Sequence, residues 1–250
     1  MDLGLAGRVA LVTGASKGLG RGVAEMLVAE GAQVAIASRS QERIDAVAAE
    51  IGARGYVFDA NDLDAAPALV DRVEAELGPV DVYVANTGGP PAGADPLGFS
   101  REQWEAAHRT LVLAPMAIIE RVVPGMRERG WGRVVAIGSM AVLEPVDALQ
   151  LSNAHRPGLV AAFKVLAQQA AADGVTFNTV HPGNIATDRM IDTAGSREAA
   201  AERAKKTIPA GRLGTVEELA AAVVFLASGP ASYITGTSLL VDGALTRSVS

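Results

Sequence analysis

The chain has 250 residues, of which 49% are hydrophobic, a formal net charge of −6 and no cysteine. That length suits the buried core of one large α/β domain, and the acidic balance leaves no basic footprint for nucleic acid or an anionic membrane surface. The absence of cysteine excludes disulfides, thiolate metal sites and cysteine nucleophiles, and three histidines scattered at 108, 155 and 181 point away from a metal centre.

The opening MDLGLAGRVALVTG carries Asp2 and interrupts its apolar pattern with Gly4, Gly7 and Arg8. It reads as neither a signal peptide nor a membrane span, so a cytoplasmic protein is expected. Short β-branched runs predict strands at 8–13, 33–38, 55–59, 80–86, 132–139, 175–182 and 238–243. Between them, Ala/Leu/Glu segments of helical period predict helices at 19–30, 41–50, 64–77, 101–128, 158–172 and 215–227. The alternation implies an α/β, doubly wound (Rossmann-type) seven-stranded parallel sheet with helices on both faces, in a single domain over 1–250. The stretch 183–237 has no strand, and its polar, Gly-marked part at about 188–212 reads as a mobile helical flap over a pocket.

The first strand runs into TGASKGLG, whose Gly14, Gly18 and Gly20 lead into a helix. Glycines at such a turn let backbone N–H groups approach a pyrophosphate that the positive helix N-terminus stabilises. The spacing is GxxxGxG rather than GxGxxG. With the preceding Thr13 it resembles the TGxxxGxG of the short-chain dehydrogenase/reductase family, and the resemblance extends in order along essentially the whole chain. ANTGG at 85–89 is similar to the family's NAG turn, Ser139 holds the position of its catalytic Ser, and HPGNIATD at 181–188 is similar to its PG segment. GRLGTVEELAAAVVFLAS and SYITGTSLLVDGA resemble the C-terminal helix and strand of the 3-oxoacyl-[acyl-carrier-protein] reductase branch.

The resemblance implies that Gly14, Ser16, Lys17, Gly18, Leu19 and Gly20 cradle the pyrophosphate of a nicotinamide cofactor. It places Asp59 and Ala60 at the adenine, Asn86 and Gly88 along the cofactor, and Pro182, Gly183, Ile185 and Thr187 beside the nicotinamide amide. It also implies a homotetramer, paired through the fourth and fifth helices and through the last helix and strand. The apolar run LVLAPMAIIERVVPGM serves the first interface, although an apolar helix is equally suited to the core. Cofactor choice is a charge argument: NAD sites present an acid to the ribose about 20 residues past the glycines. This chain offers Ser38 and Arg39 there, with Lys17 inside the loop, which favours the 2′-phosphate of NADP(H). Read alone, Arg39 is a solvated residue at a helix start.

The family's proton relay is altered. Thirteen residues past Ser139, where a Tyr is expected, stands Ser152; four further, where a Lys is expected, stands Arg156. Aligning Trp104 with the family's Trp puts Leu111 at its Asn position, and Tyr56, Tyr83 and Tyr233 are all placed elsewhere. Ser152 is a much weaker acid than a phenol and Arg156 releases no proton, but its planar fork suits a carboxylate, a phosphate or an enolate-like oxygen, and at the family's Lys position it also falls beside the cofactor ribose. Pro157 disfavours helical dihedrals at Arg156, so a helix start or kink is expected there, with Ser152 or Asn153 as an alternative cap. His181, at a strand end before Pro182, reads as a proton donor or a structural group. His155, beside Arg156, reads equally as a candidate acid or as a group aimed at the neighbouring strand; His108 reads as a packing or oligomer-contact group, and Glu144 and Asp147 as loop or substrate-side residues. NTGGPPAGADPLGF after the fourth strand forms a rigid, open pocket lip.

Three functions follow. The first is an NADPH-dependent oxidoreductase reducing a carbonyl, in a 3-oxoacyl thioester or polyketide-like ketone, with Ser139, Ser152, Arg156 and His181 as its catalytic set. The second is a cofactor-bound non-redox enzyme, a dehydratase, isomerase or cyclase. The third is a non-catalytic NADP(H)-binding sensor. The expected partner is a small-molecule or acyl-carrier-linked substrate, with no nucleic acid, membrane or metal.

Overall fold

The apolar runs pair side by side in a computed structural model that describes residues 1–249. The strands are β1 (Val9–Thr13), β2 (Gln33–Ser38), β3 (Arg54–Val57), β4 (Val82–Ala85), β5 (Gly132–Ile137), β6 (Val175–Pro182) and β7 (Ser238–Val241). They form one sheet in the order β3-β2-β1-β4-β5-β6-β7, and every neighbouring pair is parallel. All residues of β1, β4 and β5 are buried, as strands covered on both faces must be, which is why their sequences are nearly continuous apolar runs.

The helices are α1 (Gly18–Ala29), α2 (Gln41–Ile51), α3 (Ala65–Leu77), α4 (Arg101–His108), α5 (Ala114–Glu128), α6 (Gln150–Ala170), α7 (Asp188–Ala194), α8 (Arg197–Thr207) and α9 (Val216–Leu226). One face of the sheet carries α1, α2 and α9, with Val23, Ile44 and Val223 in its core. The other carries α3, α5 and α6, with Val70, Ile118 and Phe163 in its core. The chain winds from β1 out to β3 and then returns to β4 beside β1. That reversal opens a crevice at the carboxyl ends of β1 and β4, where ligands bind in such sheets. Among the described residues, no helix is long and apolar enough to cross a membrane.

Three expectations are corrected. The helix expected from 158 starts at Gln150 and runs unbroken through Pro157. Burial of Leu151, Ser152, Leu159 and Phe163 along one side overrides a proline cost of about 3 kcal/mol. Leu149 is the N-cap, so neither Ser152 nor Asn153 caps this helix; the Asn153 amide instead bonds both the N–H and the C=O of Val146 (3.1 and 3.0 Å). The helix expected over 101–128 is α4 and α5 joined by a π-helical turn at Arg109–Leu113, with Leu111 buried inside it. Finally, β3 ends at Val57 and β5 at Ile137, so Asp59 and Ser139 lie just past their strands.

The apolar run of α5 is mostly core: Ile118, Ile119, Val122 and Met126 are buried within the chain. At the opposite end of the sheet from the crevice, the buried Arg133 donates to the carbonyls of Ser228, Gly132 and Gly174 at 2.8–3.1 Å, and its guanidinium lies 4.4 Å from the Trp131 ring centroid.

Candidate active site

The crevice floor is built by tight backbone contacts. Gly14 has φ of 60°, and a Cβ there would lie 2.7 Å from the carbonyl oxygen of Asn86. A Cβ on Gly20 would meet Asn86 Nδ2 at 2.6 Å. Only glycine allows the loop to lie this close to the end of β4. Asn86 Nδ2 donates to the carbonyls of Gly14 (2.9 Å) and Thr13 (3.3 Å), while Thr13 Oγ1 donates to Asn86 O (3.0 Å). Helix α1 then begins with Lys17 as N-cap, with no side-chain cap and no acid in its first turn, so its leading N–H groups are set for an anion. Ser16 and Leu19 are half-buried in this loop, and a Cβ on Gly88 would meet nothing within 4 Å.

At the end of β2, the Ser38 hydroxyl is buried without a hydrogen-bond partner. Exposed Arg39 follows it in sequence and exposed Lys17 stands in the glycine loop, which bonds the end of β2 through Ala15 N–H and Ala37 O; neither cation forms an ion pair among the described residues. An orphaned hydroxyl with two unpaired cations fits a phosphorylated ribose. Asp59 Oδ1 accepts from the backbone and side-chain N–H groups of Asn61 (both 3.0 Å), and Ala60 packs on the core. Across the crevice, Gly183 N–H bonds Val241 O at 3.0 Å, Ile185 is buried, and Thr187 Oγ1 caps α7. Thr187 Cγ2 faces the glycine loop, 3.8 Å from where a Cβ on Gly18 would sit.

The replaced pair forms one unit. Being four residues apart on α6, Ser152 and Arg156 share a helix side. Arg156 Nε donates to Ser152 Oγ at 2.9 Å, and Nη1 donates to the carbonyl of Ile137, the last residue of β5, at 3.0 Å. Nη2 has no protein partner among the described residues. Burial, followed by the charge of Arg189, pushes the Arg156 guanidinium down to about 10, which still leaves it charged at neutral pH. Two residues past Ile137, Ser139 Oγ accepts from the N–H of Ala141 at 3.2 Å, leaving its O–H to donate elsewhere.

His181 is completely buried, and neither ring nitrogen has a partner. Gly138 leaves room for the imidazole: a Cβ there would lie 2.5 Å from Nδ1. Burial first, and the Arg156 charge second, push His181 down to about 4, so near neutral pH it holds no imidazolium proton to give. The unfolded chain therefore takes up this proton before the folded one as pH falls. Stability is full above about pH 6.5 and is lost progressively toward pH 4, by about 3 kcal/mol in all for this group. Urea unfolding at several pH values is expected to show that loss in the native protein and not in His181→Leu; equal pH dependence in both would refute it.

The chain matches a family profile described as enoyl-(acyl carrier protein) reductase over residues 14–246. It is 35% identical over 243 residues to the 3-oxoacyl-[acyl-carrier-protein] reductase of Escherichia coli (strain K12), covering 96% of this chain and 97% of that protein. The chain belongs to the short-chain dehydrogenase/reductase family. Two solved structures at 28% identity share its fold. One is the L-sorbose reductase of Gluconobacter frateurii complexed with NADPH and L-sorbose, with a TM-score of 0.92 and 100% of both chains covered. The other is a short chain oxidoreductase of Pseudomonas aeruginosa PAO1 described as containing an atypical catalytic center, with a TM-score of 0.91, covering 98% of this chain and 100% of that one.

Within this short-chain dehydrogenase/reductase, no tyrosine replaces the missing one. Tyr56 donates to Glu76 Oε2 (3.0 Å), Tyr83 is buried in the core and Tyr233 is fully exposed. His155 turns toward α4, with its ring 5.5 Å from both Trp104 and His108, so these histidines pack together. Glu144 Oε2 accepts the N–H of Arg247, tying it to the C-terminal segment, and Asp147 is exposed.

The segment expected as a flap, at about 188–212, folds into α7 and α8. It carries a residue that sequence reading missed: Arg189 Nη2 donates to Pro90 O at 3.2 Å, so its side chain reaches from α7 to the lip after β4. The two residues lie 99 positions apart, and nothing in the local sequence marks the contact.

Proposed function

We propose that this protein is an NADP(H)-dependent oxidoreductase that reduces a ketone carbonyl, in a 3-oxoacyl thioester or polyketide-like ketone, with Arg156 and Ser139 in place of the tyrosine relay. The observation that carries the reading is the braced Arg156 fork, held by Ser152 Oγ and Ile137 O with Nη2 left over. The glycine loop, Ser38, Lys17 and Arg39, Asp59, Asn86 and the Pro182–Thr187 segment would hold the cofactor, which supplies the hydride. The bound, NADPH-complexed state of the sorbose reductase relative supports this choice.

As the carbonyl carbon is reduced, charge collects on its oxygen. The Ser139 O–H and the Arg156 N–H groups donate to that oxygen, stabilising an alkoxide that develops only along the reaction. Both donors are fixed beforehand by their other hydrogen bonds, so little reorganisation is needed. Neither Arg156 nor buried His181 gives up a proton near neutral pH, so water at the crevice mouth protonates the alkoxide, with Ser139 holding it in place. Without a phenol of tuned acidity, turnover is slower than in Tyr-containing relatives. A cytoplasmic homotetramer is part of the proposal; Val165, Phe225, Tyr233 and Leu239 are exposed apolar residues available to its interfaces.

The test is NADPH oxidation, followed by absorbance, against 3-oxoacyl thioesters, cyclic ketones and quinones, with Ser139→Ala as comparison. Turnover that falls in Ser139→Ala supports the reading; NADPH binding without oxidation across the panel rejects it. Arg39→Asp is expected to weaken NADPH by about 10- to 100-fold while leaving NADH nearly unchanged, since one charge-assisted phosphate contact is lost. Fluorescence titration checks this, and equal effects on both cofactors would contradict it.

A further inference from the structure

Arg156 and Arg189 present two guanidinium groups to the same crevice. One comes from α6 at the end of β5, the other from α7 and braced on the lip after β4. They are near enough for the Arg189 charge to depress Arg156 further. Among the described residues neither is paired with a carboxylate, whereas the surface residues Arg21 and Arg212 each have acidic partners. The two like charges, one on part-buried Arg156 and one on solvent-facing Arg189, repel, and neither has an acid within ion-pair distance among the described residues. Arg189 is braced on the lip: its guanidinium lies against the backbone of Gly89, and Nη2 is held by Pro90 O. The remaining N–H groups of its planar fork have no protein acceptor, an arrangement suited to bidentate recognition of a carboxylate.

We infer that the substrate is a small oxo acid, its carboxylate held by Arg189 while its ketone oxygen lies at Arg156 and Ser139. This rests on the reductase reading and narrows it from thioesters to free acids. Arg189 is then a specificity residue, carried on the flap and added to the site across its mouth.

The experiment measures binding and turnover separately on NADPH-loaded protein. Calorimetric titration with a series of short 2-oxo and 3-oxo acids and their methyl esters is carried out on the native protein, Arg189→Met and Arg189→Lys. At least one acid is expected to bind the native protein at least about tenfold tighter than its ester, as one charged contact allows. Arg189→Met abolishes that preference with the Kd of NADPH unchanged, and Arg189→Lys keeps part of it. The inference is overturned if no acid outbinds its ester, or if Arg189→Met weakens NADPH instead, which would assign Arg189 to the cofactor phosphates. Acid preference without NADPH oxidation would sink the reductase reading alone and leave the carboxylate site standing.

Discussion

Arg156→Gln is expected to lower kcat/KM by about 100- to 1,000-fold, the usual cost of removing one donor from a developing oxyanion. Glutamine fills part of the space and keeps a donor, but it cannot bond Ser152 Oγ and Ile137 O together and still present a charged N–H to substrate. Arg156→Lys, which restores the family's usual residue, is expected to do little better. Lysine is a point charge on a flexible stem, and in the family it works through a tyrosine that position 152 lacks. NADPH affinity should fall far less than turnover, because the glycine loop and the Ser38 region remain intact. Steady-state kinetics with parallel cofactor titration separates the effects; a change in affinity alone would reduce Arg156 to a ribose-binding group.

The second large effect is on stability. Arg133→Met is expected to destabilise the fold by about 2–4 kcal/mol. Burying a guanidinium without an acid is costly, and that burial pushes Arg133 down to about 10. Methionine relieves this cost and fills much of the volume. It also strips the Arg133 donors from the carbonyls of Ser228, Gly132 and Gly174; Gly174 O keeps the N–H of Gly132 at 3.3 Å, while an unmet buried acceptor costs about 1–3 kcal/mol. The acceptor losses outweigh the relief, and the lost stacking on Trp131 adds to them. A urea midpoint equal to that of the native protein would show that desolvation wins instead.

The sheet was legible in the sequence because parallel strands buried on both faces are written as β-branched runs, and β1, β2 and β6 fall close to their expected bounds. Strand ends were less so: GYVFD and GRVVAIGS read as strands through Asp59 and Ser139, while β3 ends at Val57 and β5 at Ile137. The start of α6 was misjudged because proline is a local signal and the packing of Leu151 and Ser152 is not. The π turn at Arg109–Leu113 contains no Gly or Pro of its own to mark it in the sequence. At the site, the Ser152–Arg156 contact is readable as i, i+4 spacing. The neutral state of His181 depends on burial under neighbours from other elements, and the Arg189–Pro90 contact on chain folding across the crevice.

The most direct test of the altered reductase is isotopic. Protein loaded with NADPH deuterated at its transferable hydrogen is mixed with candidate oxo acids and ketones, and the products are read by mass spectrometry. One deuterium on the former carbonyl carbon, lost in parallel with activity in Arg156→Gln, is the predicted result. A product formed without deuterium, with the NADPH unchanged, would contradict it and place the site in non-redox chemistry.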